Sequence, residues 1–281
     1  NAPRTTVNFA LITPVPRLLA VAVAAGLVAA LLGPGTLTVF APTNAAFAAL
    51  LTELGVSKEA LLANKPLLTA VLTYHVLGST VARADVPLGK AITPVSGGFF
   101  KIESNNGLKI TDGRNRVSTI TATDIQASNG VVHLVDRVLL PADKDIVATA
   151  SALPDFSILV EAVVAAGLAS TLQGTGPFTV FAPTNAAFAA LLTELGVSKA
   201  DLLANTALLT KVLTYHVVPA RVLKAEVPVN TAITTVQGQS FTVNSSLVIT
   251  DQNMRTSSIV ATDVFTSNGV IHVVDKVILP K

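Results

Sequence analysis

The chain has 281 residues, a formal net charge of +2 and 13% charged residues, against about 25% in typical soluble domains. That charge balance, without any cluster of basic and aromatic residues, excludes nucleic acid as a partner. Hydrophobic residues make up 51% and cysteine is missing, which points to large cores and rules out disulfide stapling and thiol chemistry.

In chain order, Thr5 to Leu11 alternates polar and apolar residues as a strand does, and Thr13-Pro14-Val15-Pro16 then forbids a regular helix. Such a terminal strand folds back on its own domain or pairs with an exposed edge of another molecule, which would build homo-oligomers or filaments. No charged-then-apolar leader precedes it and the first residue is Asn1, so a leader is expected to have been removed. Leu18 to Leu32 is uncharged but shorter than the ~20 residues a bilayer requires. Its counterpart, Leu159 to Gln173, is interrupted by Glu161, Ser170 and Gln173. Both are read as core helices, and no transmembrane segment is expected.

Next comes TVFAPTNAAFAALLTELGVSK, Thr38 to Lys58. Its strand is stopped at Pro42, Thr43 or Asn44 caps a helix carrying Phe47, Leu50, Leu51 and Leu54 at helical spacing, and Gly55 ends it. Ser57 caps a short helix, and a further helix with Leu67, Leu68, Val71 and Leu72 on one face runs into Tyr74-His75-Val76. From Ile92 the pattern becomes short strands: Ile92 to Val95, Phe99 to Glu103, Leu108 to Thr111, Val117 to Asp124 and Val131 to Leu140, separated by Gly- and Asn-rich turns.

The 21-letter stretch recurs without change from Thr179 to Lys199, and Ser128-Asn129-Gly130 recurs as Ser267-Asn268-Gly269. A period of this length makes each repeat a whole domain. The expected domains are residues 1–142, with a divergent amino-terminal strand in 1–16, and residues 143–281. Helices that precede a run of hairpin strands, without βαβ alternation, give the class α+β, with helices beside a largely antiparallel sheet or sandwich. In the second copy Ser198 and Asp201 have the spacing of a capping box.

Four histidines form two equivalent pairs, His75 with His133 and His216 with His272. Neither an HxxxH spacing nor a histidine close to paired carboxylates is present, so no metal and no cofactor are expected. His133 lies at an alternating position in GVVHLVD, which places it to hydrogen-bond to the Thr43-Asn44 turn or to backbone. Thr43, Asn44, His133, Thr184, Asn185 and His272 are accordingly read as a structural motif. No GxSxG supports a serine hydrolase. Asp124, Asp136, Asp263 and Asp275 are read as turn caps or solvated charges. Gly33-Pro34-Gly35 and Gly174-Thr175-Gly176-Pro177 are turns without the lysine of a phosphate loop. Asn244-Ser245-Ser246 is a glycosylation sequon.

Together, TVFAPTNAAF, the helix ending in Tyr-His, and NGVVHLVDRVLLP (Asn129 to Pro141) resemble the fasciclin domain, and all three segments occur twice in the same order. The resemblance implies two tandem domains, each a twisted β-sandwich flanked by short helices. It also implies a secreted or cell-surface adhesion protein of the extracellular matrix, with no known catalysis, whose partners are cell-surface or matrix proteins or glycans. In animal members the Tyr-His region looks like an integrin contact, which would carry binding onto Tyr74, His75, Tyr215 and His216. The rival expectation is a small-ligand carrier or enzyme with its site between helices and sheet.

Overall fold

The computed structural model describes residues 16–281, so the strand expected at Thr5 to Leu11 lies outside the described residues. The chain divides into two compact units that part between Ala142 and Asp143.

In the first unit the apolar run after Pro16 breaks at Gly26 into α1 (Pro16–Ala25) and a single turn, α2 (Val28–Leu31), so the one long core helix expected there is two pieces. β1 (Leu37–Pro42) leads to α3 (Asn44–Leu54), whose amino-terminal cap is Thr43: its hydroxyl accepts the Ala46 amide at 3.2 Å. Gly55, at φ 64°, closes that helix in the left-handed conformation that a side chain disfavours. α4 (Lys58–Ala63) is capped by Ser57 and α5 (Lys65–Tyr74) by Asn64. The strands are β2 (Val76–Leu77), β3 (Ala91–Ile92), β4 (Phe100–Ser104), β5 (Leu108–Thr111), β6 (Val117–Ala127) and β7 (Gly130–Val135).

These strands form one seven-stranded sheet in the order β2-β1-β7-β6-β5-β4-β3. Every neighbouring pair is antiparallel except β1 and β7, which run parallel from Leu37 opposite Gly130 to Pro42 opposite Val135. Parallel strands covered on both faces read as continuous apolar runs, and this is why β1 does not alternate. Its Val39 and Ala41 face the helices, with Val132 and Leu134 of β7 and Val21, Phe47, Leu50, Leu68 and Val71. Phe40 points the other way, into a second core with Tyr74, Phe100, Ile102, Ile110 and Val135. The 11-residue β6 pairs with β5 through its first residues and with β7 through its last, with register shifts between Ile120 and Ile125. The sheet therefore folds over on itself along β6, making a sandwich with one helix-covered face.

β1 and β7 lie so close at their start that a Cβ on Gly130 would sit 1.9 Å from the Leu37 carbonyl oxygen. Only glycine fits this approach.

The second unit repeats the plan. It has α6 (Ile146–Ser151), α7 (Ser157–Ala165), α8 (Ala169–Leu172), β8 (Phe178–Pro183), α9 (Asn185–Leu195), α10 (Lys199–Ala204) and α11 (Thr206–Tyr215). Its strands continue as β9 (Val217–Val218), β10 (Ile233–Thr234), β11 (Ser240–Val243), β12 (Val248–Thr250), β13 (Thr256–Thr266) and β14 (Gly269–Val274). β8 and β14 form its parallel pair, and the Ser198–Asp201 capping box is present at α10. α6 packs on the same helix-side core through Ile146 and Ala150.

Candidate functional site

The Tyr-His pair sits where α5 ends, and both residues are buried. The Tyr74 hydroxyl donates to the Phe99 carbonyl at 2.6 Å. His75 Nδ1 lies 2.7 Å from the Val71 carbonyl, and its Nε2 accepts the Leu139 amide at 2.9 Å. Since Nε2 is the acceptor, Nδ1 carries the proton, and the ring is a neutral tautomer fixed at both ends. Burial, opposed by the Val71 bond, lowers its pKa from 6.5 to about 4. Burial also pushes the Tyr74 hydroxyl well above its usual 10, with the Asp112 carboxylate adding to the rise.

The second copy matches bond for bond. Tyr215 donates to the Ser240 carbonyl at 3.0 Å, His216 Nδ1 lies 2.8 Å from the Val212 carbonyl, and His216 Nε2 accepts the Ile278 amide at 3.1 Å. Burial lowers the His216 pKa to about 4 and raises that of Tyr215 to about 12.

His133 makes the other tautomeric choice. Its Nδ1 accepts the Asp124 amide at 3.3 Å, so Nε2 carries the proton toward the Val81 carbonyl at 2.9 Å. His272 does the same with Asp263 (3.2 Å) and Val222 (2.7 Å). These partners are backbone groups; the Thr43-Asn44 turn that the sequence offered as the other partner is used differently. Thr43 and Thr184 cap their helices, and Asn44 and Asn185 are the first residues of α3 and α9. Asn185 reaches back to the start of α7, accepting the Ile158 amide at 2.9 Å and donating to Pro154 and Ser157.

Asp124 and Asp263 hold positive φ (58° and 61°) in the bulge of the long strand, and each carboxylate accepts one amide, from Arg83 and Lys224, at 2.8 Å. Asp136 and Asp275 accept from the Thr119 and Ser258 amides at 2.7 Å. All four acids therefore serve as backbone caps.

The Tyr-His and strand-histidine sites are joined by an aromatic relay. Tyr74 meets Phe100 edge-on with ring centres 5.7 Å apart, Phe100 meets Phe40 edge-on at 5.4 Å, and Phe40 lies 5.3 Å from the His133 ring. The second copy has the same relay through Tyr215, Phe241, Phe181 and His272. Edge-to-face pairs of this kind add about 0.5–1.5 kcal/mol each beyond the area they bury.

Two residues with central roles, Asp112 and Arg116, had no site reading in the sequence, where Asp112 stands only in an Asp-Gly turn. Asp112 is buried and accepts from the Leu140, Arg114 and Arg116 amides and from the Arg116 guanidinium at 3.1 Å. Burial raises its pKa while those donors oppose the rise. Arg116 also reaches Glu53 of α3 at 2.7 Å, tying the helix layer to the β5–β6 hairpin. Asp251, Arg255 and Glu194 repeat the arrangement. The available signal was the recurrence of Asp and Arg four residues apart in both copies.

Among the described residues no three His, Cys, Asp or Glu side chains are gathered to hold a metal ion. Among them, too, no helix is long and apolar enough to cross a membrane.

The family model of the fasciclin domain matches the chain twice, over residues 15–141 and 154–280. The transforming growth factor-beta-induced protein ig-h3 of Sus scrofa is 29% identical over 257 residues, covering 88% of this chain and 35% of that protein. The chain thus spans about a third of that relative's length. Protein sll1483 of Synechocystis sp. is 44% identical over 150 residues, covering 52% of this chain and 79% of that protein. Among solved structures, a FAS1 domain pair from the insect cell adhesion molecule fasciclin I aligns over 87% of this chain and 88% of that one, at 18% identity and a TM-score of 0.47. With both copies matched by the family model over nearly their full length, the chain belongs to the fasciclin domain family and carries the domain twice.

Proposed function

We propose that this chain is an adhesion module of a secreted or cell-surface protein, acting by binding matrix or cell-surface proteins or glycans and not by catalysis. The observation that carries the reading is the inward commitment of its polar chemistry. All four imidazoles are buried, each with both nitrogens bonded to the backbone of its own domain. On this reading Tyr74, His75, Tyr215 and His216 shape the binding domain from within and do not touch the partner.

Each copy also turns apolar side chains outward at matching positions. Val23 and Val164 stand at matching positions and are 61% and 62% exposed, Leu88 and Val229 are both 46% exposed, and Val95 and Val236 are 57% and 43% exposed. Single exposed apolar residues are ordinary. Leu88 and Val229 differ in identity yet keep the same exposed apolar character, and that recurrence supports a contact surface present on both domains.

The reading extends to self-association, in which the amphipathic Thr5 to Leu11 segment of one copy adds to a sheet edge of another. Light scattering of the full chain across a concentration series tests this branch. Oligomers or filaments that vanish when residues 1–13 are deleted are expected, and a monomer at every concentration would remove the branch. The binding branch is tested separately, by measuring retention of the full chain on purified matrix proteins and glycans.

A further inference from the structure

The outward face of α1 and α2 in the first domain is apolar where the matching face of α7 and α8 in the second is largely polar. Ala29, Ala30 and Leu32 are exposed, and at the same positions the second copy exposes Ser170, Thr171 and Gln173. At the place of Glu161, which pairs with Lys199 at 2.6 Å, the sequence has Ala20. Val23, 61% exposed, stands on the same outward side of α1, while Val21 and Ala22 of that helix are buried in the core. A helix with apolar residues on both sides is ordinarily enclosed by protein or lipid, and α1 leaves one such side open.

The backbone where α1 breaks into α2 is already satisfied. The Gly26 and Leu27 amides donate to the Val23 and Ala22 carbonyls at 3.1 and 3.0 Å, and the Leu31 and Leu32 amides to the Leu27 and Val28 carbonyls at 3.0 and 2.9 Å. The Leu31 carbonyl accepts the Asn129 side-chain amide at 2.9 Å. The break can therefore meet hydrocarbon without leaving these groups unpaired.

Charge selects among the occupants. Arg4 and Arg17 are the only charged residues before Glu53, so the whole formal net charge of +2 falls in that stretch and the rest of the chain is neutral. A second copy seated on this face would bring the same positive stretch against itself with no acid to oppose it. A segment packed as α6 is would not cover the face, because α6 lies against α7 and α8 while Val164, Ser170, Thr171 and Gln173 stay exposed. Val23, Ala29, Ala30 and Leu32 are also not the Trp, Tyr or Arg anchors on which protein contacts rely. A lipid boundary asks only for aliphatic area beside positive charge.

We propose that the first domain docks on an anionic lipid surface through its α1–α2 face. Val23 and Leu32 enter the boundary between headgroups and acyl chains, and the positive charge of Arg4 and Arg17 supplies the attraction to the headgroup phosphates. The face lies on the surface and does not span it. This goes beyond the matrix-binding reading, and the two fail separately because the vesicles below contain neither protein nor glycan.

The test is flotation of the full chain with vesicles of phosphatidylglycerol and phosphatidylcholine in equal parts, and with phosphatidylcholine alone. The chain is expected to float with the anionic vesicles at least fivefold more than with the neutral ones, and less as salt is raised. Ala29→Ser/Ala30→Thr/Leu32→Gln gives the first domain the residues that the second carries at these positions, and it is expected to lower flotation at least fivefold at a near-native unfolding midpoint. Should that variant fail to fold, Val23→Ser on the open side of α1 is read the same way. The proposal is overturned if the wild-type chain floats with neither vesicle, if it floats equally with both, or if the folded variant floats as wild type does. A wild-type dimer that the triple variant abolishes, without flotation, would overturn it in favour of a second copy.

Discussion

His75 accepts the Leu139 amide across 64 residues of chain, and the next amide, that of Leu140, is taken by Asp112. Two side chains from different elements, one at the end of α5 and one just after β5, thus grip consecutive amides of the segment that follows β7, locking the end of α5 and the β5–β6 hairpin to it. His75→Ala leaves the Leu139 amide buried without a partner, at about 1–3 kcal/mol for the unpaired group, with a further loss from the space left behind. His216→Ala should act equally on the Ile278 amide. Denaturant midpoints of the two variants check both.

Acid should weaken both domains through the same histidines. Burial lowers their folded pKa from 6.5 to about 4, so the unfolded chain takes up the proton first. The stabilisation is complete above pH 6.5 and is lost as pH falls from there toward 4, about 3 kcal/mol for each histidine. In the first domain Asp112, raised by burial, partly offsets the loss, because a raised carboxyl favours the folded state as pH falls. Thermal unfolding between pH 7 and pH 4 measures the slope. A His75→Phe/His216→Phe chain should be flatter over that window, and an unchanged slope would assign the effect to other groups.

Gly130→Ala brings a Cβ to 1.9 Å from the Leu37 carbonyl oxygen and 2.8 Å from the Leu37 carbonyl carbon and amide nitrogen, backbone atoms that cannot swing away as a side chain can. The parallel β1–β7 pair must separate at its first rung, and a loss of about 2–4 kcal/mol is expected, in the upper range for single substitutions. Gly107→Ala, in a turn where an added Cβ meets nothing within 4 Å, carries only the strain of its positive φ. It is expected to cost less in the same unfolding measurement.

Tyr74→Phe keeps the ring contact with Phe100 and removes the bond to the Phe99 carbonyl. A loss of about 1 kcal/mol is expected, with partner binding unchanged at temperatures where the domain remains folded. A variant that binds poorly at full stability would return Tyr74 to the contact surface.

The local parts of this structure were legible in the sequence because their causes are local. The Thr43 cap, the Gly55 stop, the Ser198–Asp201 box and the α5 face of Leu68, Val71 and Leu72 each depend on neighbours within about one helical turn. The parallel pairing of β1 with β7 joins strands some 90 residues apart, and no local signal carries that register. The same distance hid the relay from Tyr74 through Phe100 and Phe40 to His133, although each ring was visible as an apolar or alternating position. His133 was read as bonding to the Thr43-Asn44 turn or to backbone, and one of its backbone partners, the Val81 carbonyl, lies in a loop that residue types do not mark. Asp112 was obscured by its own chemistry, since Asp before Gly marks a turn whether the carboxylate faces water or, as here, the interior.

The claim that the Tyr-His residues act from within while the exposed apolar positions meet the partner has one direct measurement. Wild-type chain, Tyr74→Phe and the double variant Val95→Asp/Val236→Asp are compared for retention on the same matrix surface, with unfolding midpoints recorded in parallel. The expected result is that the double variant loses at least tenfold in binding at near-native stability while Tyr74→Phe binds as wild type does. Full binding by the double variant, together with lost binding by a stably folded Tyr74→Phe, would contradict it.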